Sequence, residues 1–482
     1  MELKGHVLSG LKWTAGVKFF TQIVNWTFTI IVIRLLQPND YGLLAMATIF
    51  TSLCLLLNEM GLGAAIVQAR QLTENILRQA LGLIILLNSI IVITLFFFAP
   101  FIADIFDEPR LSDITRVLSL QFPIMAYYVV PNSLLIREMK FKSISLVGIF
   151  AELSNGICTL TLAWFGFGVW SLVIGTIIRV VVLCIGINIV SPFIRWPSFN
   201  FSGFTELAKF GGLISVQRVL WYFYSQADVF IIGRILGSTI LGYYSIAMHI
   251  ASLPLQKVGS IFSQVGLPAY SKLQDDPGAV SDYVFKVSRL LGVIGFPIFF
   301  GISSISPELV TIVLSEKWLP SILPLQLLSL IIPLRALNVS FTPAVNGIGR
   351  PDIIANTLGV ACVIMPVAFL IGVNWGLTGV SIAWIVGYLV WFIYLLIKVL
   401  PVLGLKMKKF FRALYPSFIC ATTMYASIYA CRMVLNYWQF SPIPTLSILI
   451  SCGVIIYTGQ MYIIFKKVCK DCLSMIQKKA II

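Results

Sequence analysis

The chain has 482 residues, 59% of them hydrophobic and 11% charged, with a formal net charge of +15. Soluble chains carry about 25% charged residues, so water is excluded as the main solvent of this one. The basic balance does not indicate nucleic acid, because no polar stretch is long enough to fold into a soluble domain with a basic face.

In chain order, the apolar runs predict an all-α polytopic membrane protein of about fourteen transmembrane helices. Their centres fall near residues 25, 55, 90, 125, 156, 179, 222, 251, 300, 333, 363, 388, 424 and 454. Each run approaches the roughly 20 residues needed to cross a hydrocarbon core about 30 Å thick. The first run is of membrane length and lacks a small-residue cleavage site, so it is expected to remain as a span and not be removed as a signal peptide. The loops then alternate in charge. One set collects Arg70, Arg78, Arg137, Lys140, Lys142, Lys272, Lys286, Arg289, Arg350 and Lys406, together with the basic tail. The other holds little beyond Arg110, Arg116 and Lys317, beside Asp104, Asp107, Glu108 and Asp113. Short cytoplasmic loops are the Lys- and Arg-rich ones, which predicts cytoplasmic N and C termini.

The first span carries Lys18, Gln22, Asn25 and Thr29 within a narrow arc at 100° per residue, so it has one polar stripe. It closes on RLLQPNDYG, residues 34–42. RILGSTILG, residues 234–242, repeats that pattern 200 positions later, with Arg34 answering Arg234 and Gly42 answering Gly242. The seventh span repeats the stripe with Arg218, Trp221, Ser225 and Asp228, and Lys18 and Arg218 are themselves 200 positions apart. Self-similarity continues through LSLQFP ending at Pro123 against LSLIIP ending at Pro333, and through GVWSLVIG, 168–175, against GVSIAWIVG, 379–387.

These matches predict two parallel six-helix repeats, 1–200 and 201–405, followed by a helix pair and basic tail, 406–482. At each corner a Pro or Gly turn returns the chain into the bilayer, and the preceding arginine is expected to reach for lipid headgroups. Parallel repeats recur in transporters, with the substrate path at their interface.

An ionisable group near the bilayer centre costs about 2.5 to 3.5 kcal/mol and so should face a bundle interior or water. Beyond the two stripes, the groups in that position are Glu59, Glu152, Arg179, His249, Lys257 and Arg335. Cations outnumber acids, which suits an anionic cargo, since Lys holds phosphate as a point charge and Arg holds it bidentately. Arg179, Lys257 and Arg335 join Lys18, Gln22, Asn25, Arg218, Trp221, Ser225 and Asp228 as expected cavity lining. Glu59, Asp228 and His249 are the groups that could couple an ion, and internal pairing of Glu152, Arg179 or Lys257 is the plainer alternative.

Nine cysteines are scattered through the chain, and the isolated CxxC of Cys469 and Cys472 supplies only half of a typical zinc ligand set, so neither a disulfide framework nor a metal is expected. The glycosylation patterns at Asn25 and Asn338 lie within spans, the wrong context for the modification. No Walker loop, hydrolytic motif or cofactor motif is present, so energy would come from gradients or substrate flow.

SGLKWTAGVKFF, RLLQPNDYGLLAMATIF and NEMGLGAAIVQ, with LPAYSKLQDDP at 267–277 and LSEKW at 314–318, resemble the Wzx-type polysaccharide flippases. Those belong to the multidrug, oligosaccharidyl-lipid and polysaccharide exporter superfamily, and the likeness is greatest to its colanic acid and teichuronic acid branch. The resemblance implies two six-helix bundles forming a V, alternating access, and a bacterial inner-membrane location. It implies an undecaprenyl-pyrophosphate-linked oligosaccharide as cargo, with a polysaccharide polymerase and a chain-length regulator as further partners. A cation-coupled multidrug exporter and a membrane-embedded polymerase, ligase or scaffold are the alternatives. Short outer loops weigh against the enzyme, and paired Lys18 and Arg218 weigh against a cationic drug.

Overall fold

The computed structural model describes residues 22, 24–58, 61–69, 72–193, 195–200, 205–272, 276–438, 440–468, 471 and 472; at 64, 205–218, 256–269, 271, 272 and 277 it describes the backbone alone. Among the described residues there are helices and connecting turns but no strand. Among the described residues, ten segments are long and apolar enough to cross a membrane, with a shorter apolar helix ahead of them. All fourteen expected centres fall inside helices. Spanning structures in lipid must satisfy every backbone polar group internally, which helices do segment by segment.

The chain divides into two compact units, 1–242 and 243–482. In the first, α1 (Val24–Leu35) leads into α2 (Pro38–Leu57), α3 (Leu62–Gln68), α4 (Glu74–Phe106), α5 (Arg110–Ser119), α6 (Gln121–Arg137), α7 (Phe141–Trp164) and α8 (Val169–Val190). The start of α2 is set by Pro38 in its first turn and by Asp40, whose carboxylate accepts the Gln37 N–H at 2.9 Å. Thr73 caps α4 by accepting the Ile76 N–H, and Asp107, at φ 53°, ends it in the left-handed conformation. Leu62, Ile66, Leu81, Ile84, Val129 and Val130 pack α3, α4 and α6 into one core. Arg137 closes the end of α3 by donating to the carbonyls of Ile66 and Ala69. The connector after α8 is tied down along α4: Ser198 N–H donates to the Arg78 carbonyl, while Arg78 and Gln79 donate to the carbonyls of Trp196 and Asn200.

The next element, α9 (Thr205–Lys272), covers two expected spans as one 68-residue run, broken only at Gly237, which has φ 82° and ψ 176°. A loop is unnecessary at this corner, since one glycine supplies a backbone conformation that a side chain would strain.

The second unit continues with α10 (Pro277–Leu309), α11 (Ile322–Gly347), α12 (Pro351–Gly372), α13 (Gly376–Val402), α14 (Met407–Tyr437) and α15 (Pro442–Ile463). Its core is aromatic: Trp384, Tyr388, Trp391 and Phe392 of α13 pack among themselves and against Phe341 and Phe369. Helix α14 is fastened to α10 by a buried pair in which Arg432 Nε donates to Glu308 at 2.6 Å. Helix α15 is held to α10 through the Tyr457 hydroxyl, which donates to the Val293 carbonyl at 2.8 Å. Large side chains such as Phe97, Trp164, Ile189 and Ile455 point outward and are exposed, as lipid-facing positions are.

Candidate functional site

The two corners that the sequence repeat equates meet each other inside the first unit. A Cβ added at Gly42 would stand 1.7 Å from the Ser238 carbonyl oxygen, and one added at Gly242 would stand 1.8 Å from the Pro38 carbonyl oxygen. Positions 38 and 42 are the 200-residue counterparts of 238 and 242, so residue i meets j and j meets i, the relation of a twofold contact. Small residues are what allow backbones within a membrane to approach this closely. Around the crossing, Arg234 pairs with Asp107, the Ser238 hydroxyl donates to Glu108 at 3.4 Å, and Arg110 donates to the same carboxylate at 2.9 Å. Beneath it, Phe106 lies edge-on between Phe50 and Phe230. Arg234 therefore engages a carboxylate of the acidic loop, where the sequence led us to expect an arginine reaching for headgroups.

Along α9 toward its N-terminus, the Tyr222 hydroxyl donates to the Ile49 carbonyl of α2. A helical carbonyl keeps a second lone pair for such a bond. Asp228 is 2% exposed, and its carboxylate accepts the Val229 N–H at 2.8 Å. Ser225 is half-buried with its hydroxyl turned back to the Tyr222 carbonyl, and Trp221 is exposed. Burial therefore differs along the three described members of the expected stripe, from exposed Trp221 to buried Asp228. The side chain of Arg218 lies outside the described residues, as does Lys18.

Gln22, ahead of α1, and Asn25 on α1 are half-buried, and Thr29 donates to the Asn25 carbonyl at 2.8 Å. Phe28 fits against Gly156 of α7, where a Cβ would come within 2.5 Å of its ring. One turn along α7 from that contact, Glu152 accepts from Arg179 Nε of α8 at 2.7 Å. Arg179 is therefore neutralised by a partner within its own unit.

Arg335 is placed differently. It lies in the middle of α11 in the second unit, its guanidinium 4.7 Å from the centre of the Trp384 indole and 3.6 Å from the Met248 sulfur. The indole is itself held, with Trp384 Nε1 donating to the Tyr244 hydroxyl at 2.6 Å. Among the described residues, no carboxylate pairs with Arg335. His249, next to Met248, is exposed. Glu59 and the side chain of Lys257 lie outside the described residues. Tyr222, Tyr244 and Trp384 were not foreseen as site residues; only the repeated stretch around Trp384 offered a signal in the sequence.

The magnitudes separate Arg335 from Arg179. A cation–π contact contributes roughly 0.5 to 2 kcal/mol, less than the roughly 2.5 to 3.5 kcal/mol that a central arginine costs. Arg179 recovers its cost through an ion pair, whereas Arg335 has no carboxylate partner among the described residues.

Three comparisons bear on this arrangement. A family model described as polysaccharide biosynthesis protein matches residues 31–323. The chain is 24% identical over 443 residues, 90% of its length and 89% of the relative, to the lipopolysaccharide biosynthesis protein WzxC of Escherichia coli strain K12. It is 22% identical over 471 residues, 94% of each chain, to the teichuronic acid biosynthesis protein TuaB of Bacillus subtilis strain 168. The solved structure of the lipid II flippase MurJ in an inward closed conformation shares the fold, with a TM-score of 0.77 at 16% identity over 95% of this chain and 99% of that one.

Proposed function

The chain belongs to the polysaccharide biosynthesis protein family, and from that premise we propose that it is a flippase carrying a lipid-linked oligosaccharide from the cytoplasmic to the outer leaflet of a bacterial inner membrane. The cargo is an undecaprenyl-pyrophosphate-linked sugar repeat, delivered to a polymerase and chain-length regulator for assembly into surface polysaccharide. The supporting observation is Arg335, a mid-helix cation resting on an indole with no described carboxylate beside it. A diphosphate has the charge and the paired oxygens to engage such a group.

In this reading Lys18 and Arg218 also serve the anionic cargo, and Gln22, Asn25, Arg179, Trp221, Ser225 and Lys257 are further candidate contacts for it. Glu59, Asp228 and His249 are the groups available to couple an ion. Two six-helix repeats, 1–200 and 201–405, alternate between openings, and both termini are cytoplasmic. Fourteen crossings follow if the break at Gly237 and the joined helices α5 and α6 are counted as the loop charges require.

The test is complementation of a cell lacking the protein, with surface polysaccharide and the lipid-linked intermediate both measured. Arg335→Gln, and separately Lys18→Ala with Arg218→Ala, are expected to abolish surface polymer, raise the intermediate on the cytoplasmic leaflet and leave membrane levels unchanged. Normal polymer from both variants would overturn the reading.

A further inference from the structure

Beside the turn between α13 and α14 lies an open cavity of about 510 Å³, lined by Leu396, Ile397, Leu400, Pro401, Lys406 and Met407 among others. Small-ligand sites occupy roughly 300 to 1,000 Å³, so the volume is large enough to matter. The turn is firmly built. Gly404, at φ 65°, ends α13 in the left-handed conformation, its carbonyl accepts from the Ser281 hydroxyl at 3.1 Å, and the Leu405 N–H donates to the Leu400 carbonyl.

One cation, Lys406, lines the cavity, as does Met407, the first residue of α14. Lys408 and Arg412 follow one turn apart at the start of α14, beside the exposed rings of Phe411 and Tyr415. Lys409 is committed to Asp282 at 2.9 Å. Lys406, Lys408 and Arg412 are all exposed, and none has an ion-pair partner among the described residues. A soluble anion would satisfy these charges and leave the apolar wall bare, while a neutral chain would do the reverse. The occupant must carry both an acyl chain and a negative headgroup, the recognition that basic pockets between membrane helices provide.

We propose that this turn is a binding site for an anionic phospholipid of the surrounding bilayer, with one acyl chain in the cavity and the phosphate against Lys406, Lys408 and Arg412. Ile397, exposed at the cavity wall, gives the chain its entry from the lipid side.

Native mass spectrometry of the full-length protein, with dioleoyl phosphatidylglycerol and dioleoyl phosphatidylcholine supplied at equal concentration, tests this. Phosphatidylglycerol should be retained several-fold more than phosphatidylcholine. Lys406→Gln, Lys408→Gln and Arg412→Gln together should bring the two to the same level. Ile397→Trp, which fills the wall and keeps all three cations, should also lower phosphatidylglycerol retention. A control triple, Lys140→Gln, Lys142→Gln and Lys466→Gln, should change nothing and shows that total charge is not the cause. Equal retention of both lipids by the unaltered protein would overturn the proposal. So would a control triple as damaging as the site triple, an Ile397→Trp variant with undiminished retention, or displacement of phosphatidylglycerol by equimolar polyprenyl phosphate.

Discussion

Alanine at Gly42 and at Gly242 tests the reciprocal corner directly. The added methyls would lie 1.7 Å from the Ser238 carbonyl oxygen and 1.8 Å from that of Pro38. To restore even 3.0 Å, the backbones must part by 1.3 Å in the first case (3.0 less 1.7) and 1.2 Å in the second (3.0 less 1.8). Overpacking of this kind costs about 1 to 3 kcal/mol. For a unit of some 240 residues that corresponds to a fall in apparent Tm of roughly 2 to 12 °C. Both methyls act on one gap, so the separation forced by the first accommodates much of the second. The double variant should therefore lose clearly less than the sum of the singles, as neighbouring sites do when they share a backbone shift. Thermal unfolding of the purified single and double variants measures this. Strict additivity, or a Gly42→Ala protein as stable as the parent, would refute the reciprocal contact. The same change biases any equilibrium in which this corner opens. A penalty of about 1 to 3 kcal/mol confined to the closed corner shifts such populations by roughly 5 to 150-fold.

Three further outcomes follow from the ion pairs. Arg179→Met alone leaves the half-buried Glu152 carboxylate without its partner and should destabilise the protein, whereas Arg179→Met with Glu152→Leu should recover most stability and retain export; loss of export in a stable double variant would assign Arg179 to cargo. Arg432→Met should cost about 3 to 5 kcal/mol, because it leaves Glu308 buried and unpaired, and should free α14 to proteolysis, with Glu308→Leu restoring protection. Asp107→Asn removes the charge opposite Arg234 at an exposed site, so stability should change by no more than about 1 kcal/mol. If the corner must open in the transport cycle, the same variant should still alter the export rate, and an unchanged rate would confine the pair to a structural role.

Much of the fold was legible because the bilayer imposes one simple rule on spanning segments. Apolar runs near residues 90, 179 and 388 became helices, as length and composition require. The corners were legible as a repeat, since Arg34 and Arg234 or Gly42 and Gly242 sit at a constant offset. That the corners touch was not legible, because periodicity within one helix says nothing of which helix lies opposite. The same limit applies to charge. Arg179 and Arg335 read alike in the sequence, each a lone cation in an apolar run, and their difference comes from Glu152 on α7 and Trp384 on α13. The long α9 was missed as a single run because Gly237 reads as a turn, while one left-handed residue suffices to redirect the helix.

Sorting membrane-embedded cations by what faces them gives a sharper functional argument than counting them. Arg432 is enclosed with Glu308 and fastens α14; Arg179 is matched by Glu152 across α7 and α8; Arg234 meets Asp107 at the corner. Each has a local electrostatic partner and needs no cargo to account for its presence. Arg335 has an indole and a thioether, which contribute less than its insertion costs. Packing could have been supplied at that position by leucine at no such cost. Under the proposed function the missing partner is the diphosphate of the cargo, so Arg335→Gln, which removes the charge, should abolish export while sparing stability, and a variant that exports normally would return Arg335 to packing alone.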